Sequence, residues 1–342
     1  MTLLHVLSDR PIGLDSGVFT AVRAATLIVS GRMGEWVTMT QPRLAHQTEY
    51  GRMYARSLDG VPEVPSITTV IGQQAADLSG WAGHMAATAV IEDPRLPQVV
   101  GSRPQLKSVA RQASSAAERY RDEAAARGDR VHDYAEQVGL RALGKPHRMA
   151  EVRAVLAEHG EGAYADRFDE WWELYDVRPL ATELTVWNAT VGYAGTLDLV
   201  ATIGGRTCII DYKTKGTTRD GRVKSLDAKV VMQLVAGLRA EESLIDPAAG
   251  TWEPWRYGDA PVLLGVALGQ TEVVAHQANP QVLPDHWRKF WALRQVWGYS
   301  QIADSAGPAL RPIGPPPAPA PDQAPAPAPD PDQVPDATKV GA

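Results

Sequence analysis

Residues 183–213 read ELTVWNATVGYAGTLDLVATIGGRTCIIDYK, and they decide the fold class. Leu184 to Trp187 alternate apolar and polar, and Gly192-Tyr193-Ala194-Gly195 reads as a turn. Thr196 to Ile203 form a second run, Gly204-Gly205 turn the chain again, and Thr207 to Tyr212 form a third. Short strand-rich runs separated by glycine pairs predict an antiparallel meander. The charges set it apart from an ordinary meander. Asp198 interrupts an apolar strand, and Asp211 and Lys213 close the Cys208-Ile209-Ile210 run. A carboxylate inside a strand is costly unless a cation, a hydrogen-bond network or a metal compensates it. Two carboxylates and a lysine from adjacent strands therefore point to a divalent-metal site with a base or charge stabiliser beside it.

The order Gly195-Thr196-Leu197-Asp198, a strand, Ile209-Ile210-Asp211-Tyr212-Lys213, then a helix bearing Gln233 resembles the PD-(D/E)XK nuclease superfamily. The closest flavour is its RecB-like exonuclease group, which includes phage exonucleases and CRISPR-associated relatives. The resemblance implies an α/β protein with a restriction-endonuclease-like core, a mixed central sheet flanked by helices, and extra helices N-terminal to it. It implies metal-dependent hydrolysis of DNA phosphodiester bonds, from an end, in phage-type recombination, repair or processing. Asp198, Asp211 and the Tyr212 carbonyl would hold Mg²⁺ or Mn²⁺. His132, matched through Gly128-x-x-x-His132, would complete the ligands and favour Mn²⁺ slightly, imidazole being the softer donor. Taken alone, His132 is an ordinary helical histidine. Lys213 would orient or deprotonate the attacking water, or stabilise developing charge; the base role needs a lowered pKa. Gln233 would hold the water or a phosphate oxygen. Glu183 stands at the site's edge or is simply a surface glutamate opening a strand. The family's Gln-x-x-x-Tyr is here Gln233-Leu-Val-Ala-Gly237, without the tyrosine.

Composition narrows the setting. The 342 residues are 44% hydrophobic with ten Trp, enough to bury a sizeable core. The single cysteine, Cys208, excludes an internal disulfide framework and a cysteine-held zinc or iron–sulfur cluster, and fits a reducing, cytoplasmic compartment (that of a bacterial host for a phage-encoded chain). A net charge of −6 excludes a globally basic coat, so DNA binding would depend on local patches. Residues 18–30 are apolar but too short to span a membrane and contain Arg23, so neither a membrane segment nor a signal peptide is expected.

Along the chain, residues 1–60 show no sustained period and form an unassigned N-terminal segment. Residues 61–304 form the nuclease domain with its helical N-terminal part, and residues 305–342 a disordered Pro/Ala-rich tail. Pro65-Ser66-Ile67-Thr68 matches a family segment that covers the site and precedes a helix with a tryptophan, here Trp81; a capped helix starting near Ser66 or Thr68 reads equally well. Residues 105–143 read as helix broken at Gly128, and residues 151–178 as a helix ended by Pro179. Of its adjacent Trp171 and Trp172 at most one faces the core. The loop after Lys213 carries Lys215, Arg219, Arg222 and Lys224 and is the flexible, basic candidate for holding DNA. A helix over Leu226–Glu242 follows, then a loop over 243–258, a buried strand over Val262–Leu268 paired with Glu272–Ala275, and a helix over Asp285–Ile302. Linear DNA, single- or double-stranded, is the expected partner, with a recombination or repair protein as a second partner through the tail. A DNA-binding module that lost its chemistry, and a structural or interaction protein whose Asp211–Lys213 pair is a plain ion pair, stand beside the nuclease reading.

Overall fold

The computed structural model describes residues 42–75 and 77–316. Most of the unassigned segment and the tail beyond residue 316 lie outside the described residues. From residue 42 onward, however, the chain already belongs to the folded unit, so the boundary expected at residue 60 falls too late.

A small sheet opens the fold: β1 (Ala45–Thr48), β2 (Gly51–Tyr54) and β3 (Val64–Pro65), all antiparallel. Ser66 then caps α1 (Ile67–Ile71) by accepting from Thr69 N at 2.9 Å, which bears out the capped-helix reading. Three helices follow, α2 (Ser79–Ile91), α3 (Leu96–Val99) and α4 (Arg103–Ala113), and then the 27-residue α5 (Ala116–Ala142). The break lies between Ala113 and Ala116, not at Gly128. A Cβ at Gly128 would meet nothing within 4 Å, so α5 runs through it, and a helix tolerates one glycine for about 1 kcal/mol. The helix expected over 151–178 is two helices, α6 (Met149–Glu158) and α7 (Gly162–Leu174), parted at Gly160, whose φ of 68° no helix accommodates. Trp171 is buried and Trp172 partly buried, both packed on Phe168.

The meander is present as β4 (Arg178–Asn188), β5 (Tyr193–Ile203) and β6 (Arg206–Thr214). Gly204 and Gly205 both take positive φ, 56° and 76°, the left-handed pair a tight hairpin needs. The first turn lies earlier than expected, over 189–192, with Gly192 at φ 77° and Asn188 Oδ1 accepting from Val191 N at 2.7 Å. Pro179 sits inside β4, beside a register shift, rather than ending a helix.

After β6 come α8 (Lys229–Leu238), β7 (Glu242–Asp246), β8 (Thr251–Pro254), β9 (Val262–Leu268), β10 (Val273–Gln277) and α9 (Leu283–Ser305). The region expected as a helix end and a loop thus supplies two strands at one end of the sheet, with β8 as its edge. The mixed sheet runs β10-β9-β6-β5-β4-β7-β8, with β6–β9 parallel and the other pairs antiparallel. The protein is therefore α/β, a seven-stranded mixed sheet flanked by helices. One face carries α5, α6 and α7 over Leu199, Ala201, Cys208, Ile210 and Tyr212. The other packs α8 against Leu184, Val186, Leu197, Val200 and Ile209. Among the described residues no helix is long and apolar enough to cross a membrane.

Candidate active site

The site grows from a fault in the meander. Residues two apart on a regular strand share a face. Yet Leu197 packs toward α8 and Leu199 toward α5, and on β4 Leu184 joins the α8 side while Thr182 lies against Gly139 of α5. The pairs Leu184–Leu197 and Thr182–Leu199 leave Glu183 and Asp198 facing each other at the reversal. Glu183 takes φ 47°, a left-handed conformation that costs a non-glycine residue about 1–3 kcal/mol. It does not open β4; it is the point where β4 turns over.

Beyond the reversal β5 and β6 part. Their pairing runs from Ile203–Arg206 to Leu199–Ile210, whereas β6 stays paired with β9 through Thr214–Leu268. The Tyr212 N–H donates instead to Asp198 Oδ2 at 2.7 Å. The carboxylate that interrupts the apolar strand thus takes the place of a backbone partner.

Around this opening stand the residues the sequence singled out. Lys213 Nζ lies 2.5 Å from Asp211 Oδ2 and donates to the Tyr212 carbonyl at 3.2 Å. Asp211 Oδ2 is buried, with the Lys213 ammonium as its close partner. His132 Nδ1 is 3.8 Å from Asp198 Oδ2, beyond hydrogen-bond reach. A cavity of about 630 Å³ is lined by His132, Glu183, Asp198, Lys213 and Gln233 together.

Burial sets the protonation states. It pushes Asp211 up to about 6, eased by Lys213 and reinforced by Asp198. Asp198 is raised by burial too, against the pull of Lys213 and the Tyr212 N–H. Burial, then Asp198, Glu136 and Asp133, push Glu183 well above the usual carboxylate range. His132 falls to about 4, through burial first and the Lys213 charge second, so its imidazole is neutral at neutral pH. For Lys213, burial opposes the charge, but Asp211 and Asp198 outweigh it and the pKa is raised. With no metal ion beside it, Lys213 is thus held as a cation.

Among the described residues, no three His, Cys, Asp or Glu side chains stand together as a metal-ligating group. The donor chemistry nevertheless suits a hard cation. Asp211, buried, and Asp198, partly buried, share a single lysine, and a neutral imidazole stands beside them. The Tyr212 carbonyl, expected as a ligand, is engaged by Lys213.

Other expectations fare differently. The segment bearing Lys215, Arg219, Arg222 and Lys224 is not a loose loop. Thr217 bridges Val223, Thr218 N donates to Arg222 O at 2.7 Å, and Lys224 N donates to Gly216 O at 2.9 Å. None of the four basic side chains lines the cavity. At Gly237 a Cβ would stand 2.6 Å from Leu197 Cδ2, so the missing tyrosine has no room, and this position packs helix on sheet.

The cavity also takes residues not expected in the site: Ala125, Asp129, Asp133 and Glu136 alongside His132 on α5, and the β1–β2 hairpin. Ala125, Gly128, Asp129, His132, Asp133 and Glu136 of α5 recur at three- and four-residue spacing, which places them on one helical face. That spacing was legible. His46, Gln47, Arg52 and Tyr54 come from the β1–β2 hairpin, and Ser66 and Thr68 from the start of α1.

No family model matches the chain, and no curated protein does. Among solved structures it is similar to the crystal structure of SSO0001, at 16% identity and a TM-score of 0.26, over 50% of this chain and 75% of that one. A likeness at that level bears on neither fold family nor activity.

Proposed function

We propose that this protein is a metal-dependent nuclease that hydrolyses DNA phosphodiester bonds, and that it acts as an exodeoxyribonuclease. The observation that carries the reading is the convergence of Asp198, Asp211, Lys213 and His132 where β5 leaves β6, at the wall of a cavity. Phosphodiester hydrolysis asks for positioning and charge stabilisation more than for covalent chemistry. A bound Mg²⁺ or Mn²⁺ supplies Lewis acidity and a more acidic water. Asp198 and Asp211 would hold it, with His132 as nitrogen donor. Lys213, as a cation, stabilises negative charge developing on the phosphate rather than taking a proton. Gln233, lining the same cavity, offers a hydrogen bond to a phosphate oxygen or to water. A cytoplasmic setting in phage-type recombination, repair or processing belongs to the same proposal, as does a recombination or repair partner engaged through the tail.

The test incubates wild type and Lys213→Ala with end-labelled linear and closed circular DNA, in Mg²⁺, Mn²⁺ or EDTA. We expect metal-dependent loss of linear DNA by wild type, circles spared, and a drop of at least about 10²-fold in the variant. Cutting of circles would make the protein an endonuclease. No cleavage with either metal would leave a DNA-binding module of the same fold.

A further inference from the structure

The cavity carries five carboxylates in its lining, Asp129, Asp133, Glu136, Glu183 and Asp198, with Asp211 buried beside them. A polyanion enters such a place only against cations. Lys213 is tied to Asp211. The other described cation in the lining is Arg52, exposed, with no ion pair among the described residues.

From this we infer that Arg52, on the β1–β2 hairpin, binds the backbone phosphate of the nucleic-acid strand and positions that strand against Asp198, Asp211 and Lys213. The inference rests on the nuclease reading and deepens it.

The hairpin fixes the backbone that presents this side chain. Arg52 pairs with Gln47 and Tyr54 with Ala45, so one face of the two strands supplies all four to the cavity. The Arg52 carbonyl accepts from Ser66 N at 2.8 Å and from Thr69 Oγ1 at 2.9 Å. Gly51 takes φ 94°, and a Cβ there would stand 2.8 Å from Thr69 Cγ2, so the turn seats directly on α1. Tyr54 Oη meets Thr196 Oγ1 at 3.0 Å, two residues from Asp198 on β5. His46, on the neighbouring strand, also belongs to the lining residues, and its Nε2 is buried without a hydrogen-bond partner among the described residues. Thr214 Oγ1, in the same lining, is likewise unpartnered. An exposed guanidinium fork in the lining suits phosphate oxygens, which take two N–H bonds side by side.

The experiment compares Arg52→Ala, Arg52→Lys and, as a control outside the cavity, Arg288→Ala. Each is titrated in EDTA with a short fluorescein-labelled oligothymidylate over a range of salt, then assayed for cleavage in Mn²⁺. For Arg52→Ala we expect affinity about tenfold weaker, a salt slope shallower by about one, and KM raised more than kcat is lowered. Arg52→Lys recovers the salt slope but only part of the affinity, and Arg288→Ala matches wild type. Unchanged affinity, slope and KM in Arg52→Ala overturn the inference even where wild type cleaves. If wild type cleaves nothing but Arg52→Ala still binds more weakly, the phosphate contact stands and the nuclease reading falls.

Discussion

The two halves of the meander, on either side of the Glu183–Asp198 reversal, are made from the same three strands and obey opposite rules. On one side Leu199 to Ile203 pair with Arg206 to Ile210, and Ile210 is 1% exposed in a dry cluster beneath α5 and α7. On the other, β6 keeps β9 but loses β5, and carboxylates, a lysine and an imidazole gather in the gap. The first half is where side-chain volume sets stability. In the second, the fold holds charges it would be more stable without, the pattern of a site shaped for binding rather than for packing.

That contrast can be broken from either side. Ile210→Ala, in the closed half, should lower unfolding free energy by about 3–4 kcal/mol, because a fully buried aliphatic side chain leaves a cavity that cannot collapse. Urea denaturation measures it; a loss under about 1 kcal/mol would mean the closed half is not the packed core described here.

Next in size is the metal-free behaviour of Asp211, raised from 3.8 to about 6. Below about pH 4 the acid is protonated in folded and unfolded chain alike. As pH rises from 4 to 6 the unfolded chain gives up its proton first, so stability falls, by an amount on the order of 2–3 kcal/mol, and then levels off. In EDTA, Asp211→Asn should flatten this slope and match or exceed wild type above pH 6. A steeper slope in the variant would show that the Lys213 contact dominates after all.

Glu183→Gly should stabilise by about 1 kcal/mol, since glycine adopts φ 47° without strain and the change removes a carboxyl group whose ionisation burial and Asp198 disfavour. Thermal melts in EDTA decide this, and a destabilised variant would mean the carboxylate holds the reversal in place. Smallest is Tyr54→Phe, which deletes one hydrogen bond between the hairpin and β5 and should cost about 1 kcal/mol. Paired with Thr196→Val in a double-mutant cycle, the two losses should not add.

The closed half was the legible one. Its glycine turn at 204–205, its apolar runs and buried Cys208 announce themselves through period and turn chemistry, and so does the Val262–Leu268 strand. The motif residues Asp198, Asp211, Lys213, His132 and Gln233 were named from sequence, and they share one cavity or its floor. The reversal was not visible, because nothing in ELTVW marks a glutamate for a left-handed backbone. Nor were β7 and β8: each is short, at most half-buried and joined across a register shift, so neither shows a clean alternation. The β1–β2 hairpin escaped for a similar reason. Four-residue strands that mix polar and apolar residues carry too little pattern, and tertiary contacts rather than propensity hold them.

One of those contacts bears on how the protein is made. Trp297 Nε1, on α9, donates to the carbonyl of Tyr50 in the hairpin turn at 3.1 Å, joining residues 247 positions apart. A chain emerging N-terminal end first has the hairpin long before it has α9. The wall that carries Arg52 therefore receives its last fastening only when nearly all of the described chain has left the ribosome. Contacts of such long separation also slow the final steps of folding. The strand-holding side of the cavity is thus finished last, and an incomplete chain would carry the acidic motif without the wall that brings a strand to it.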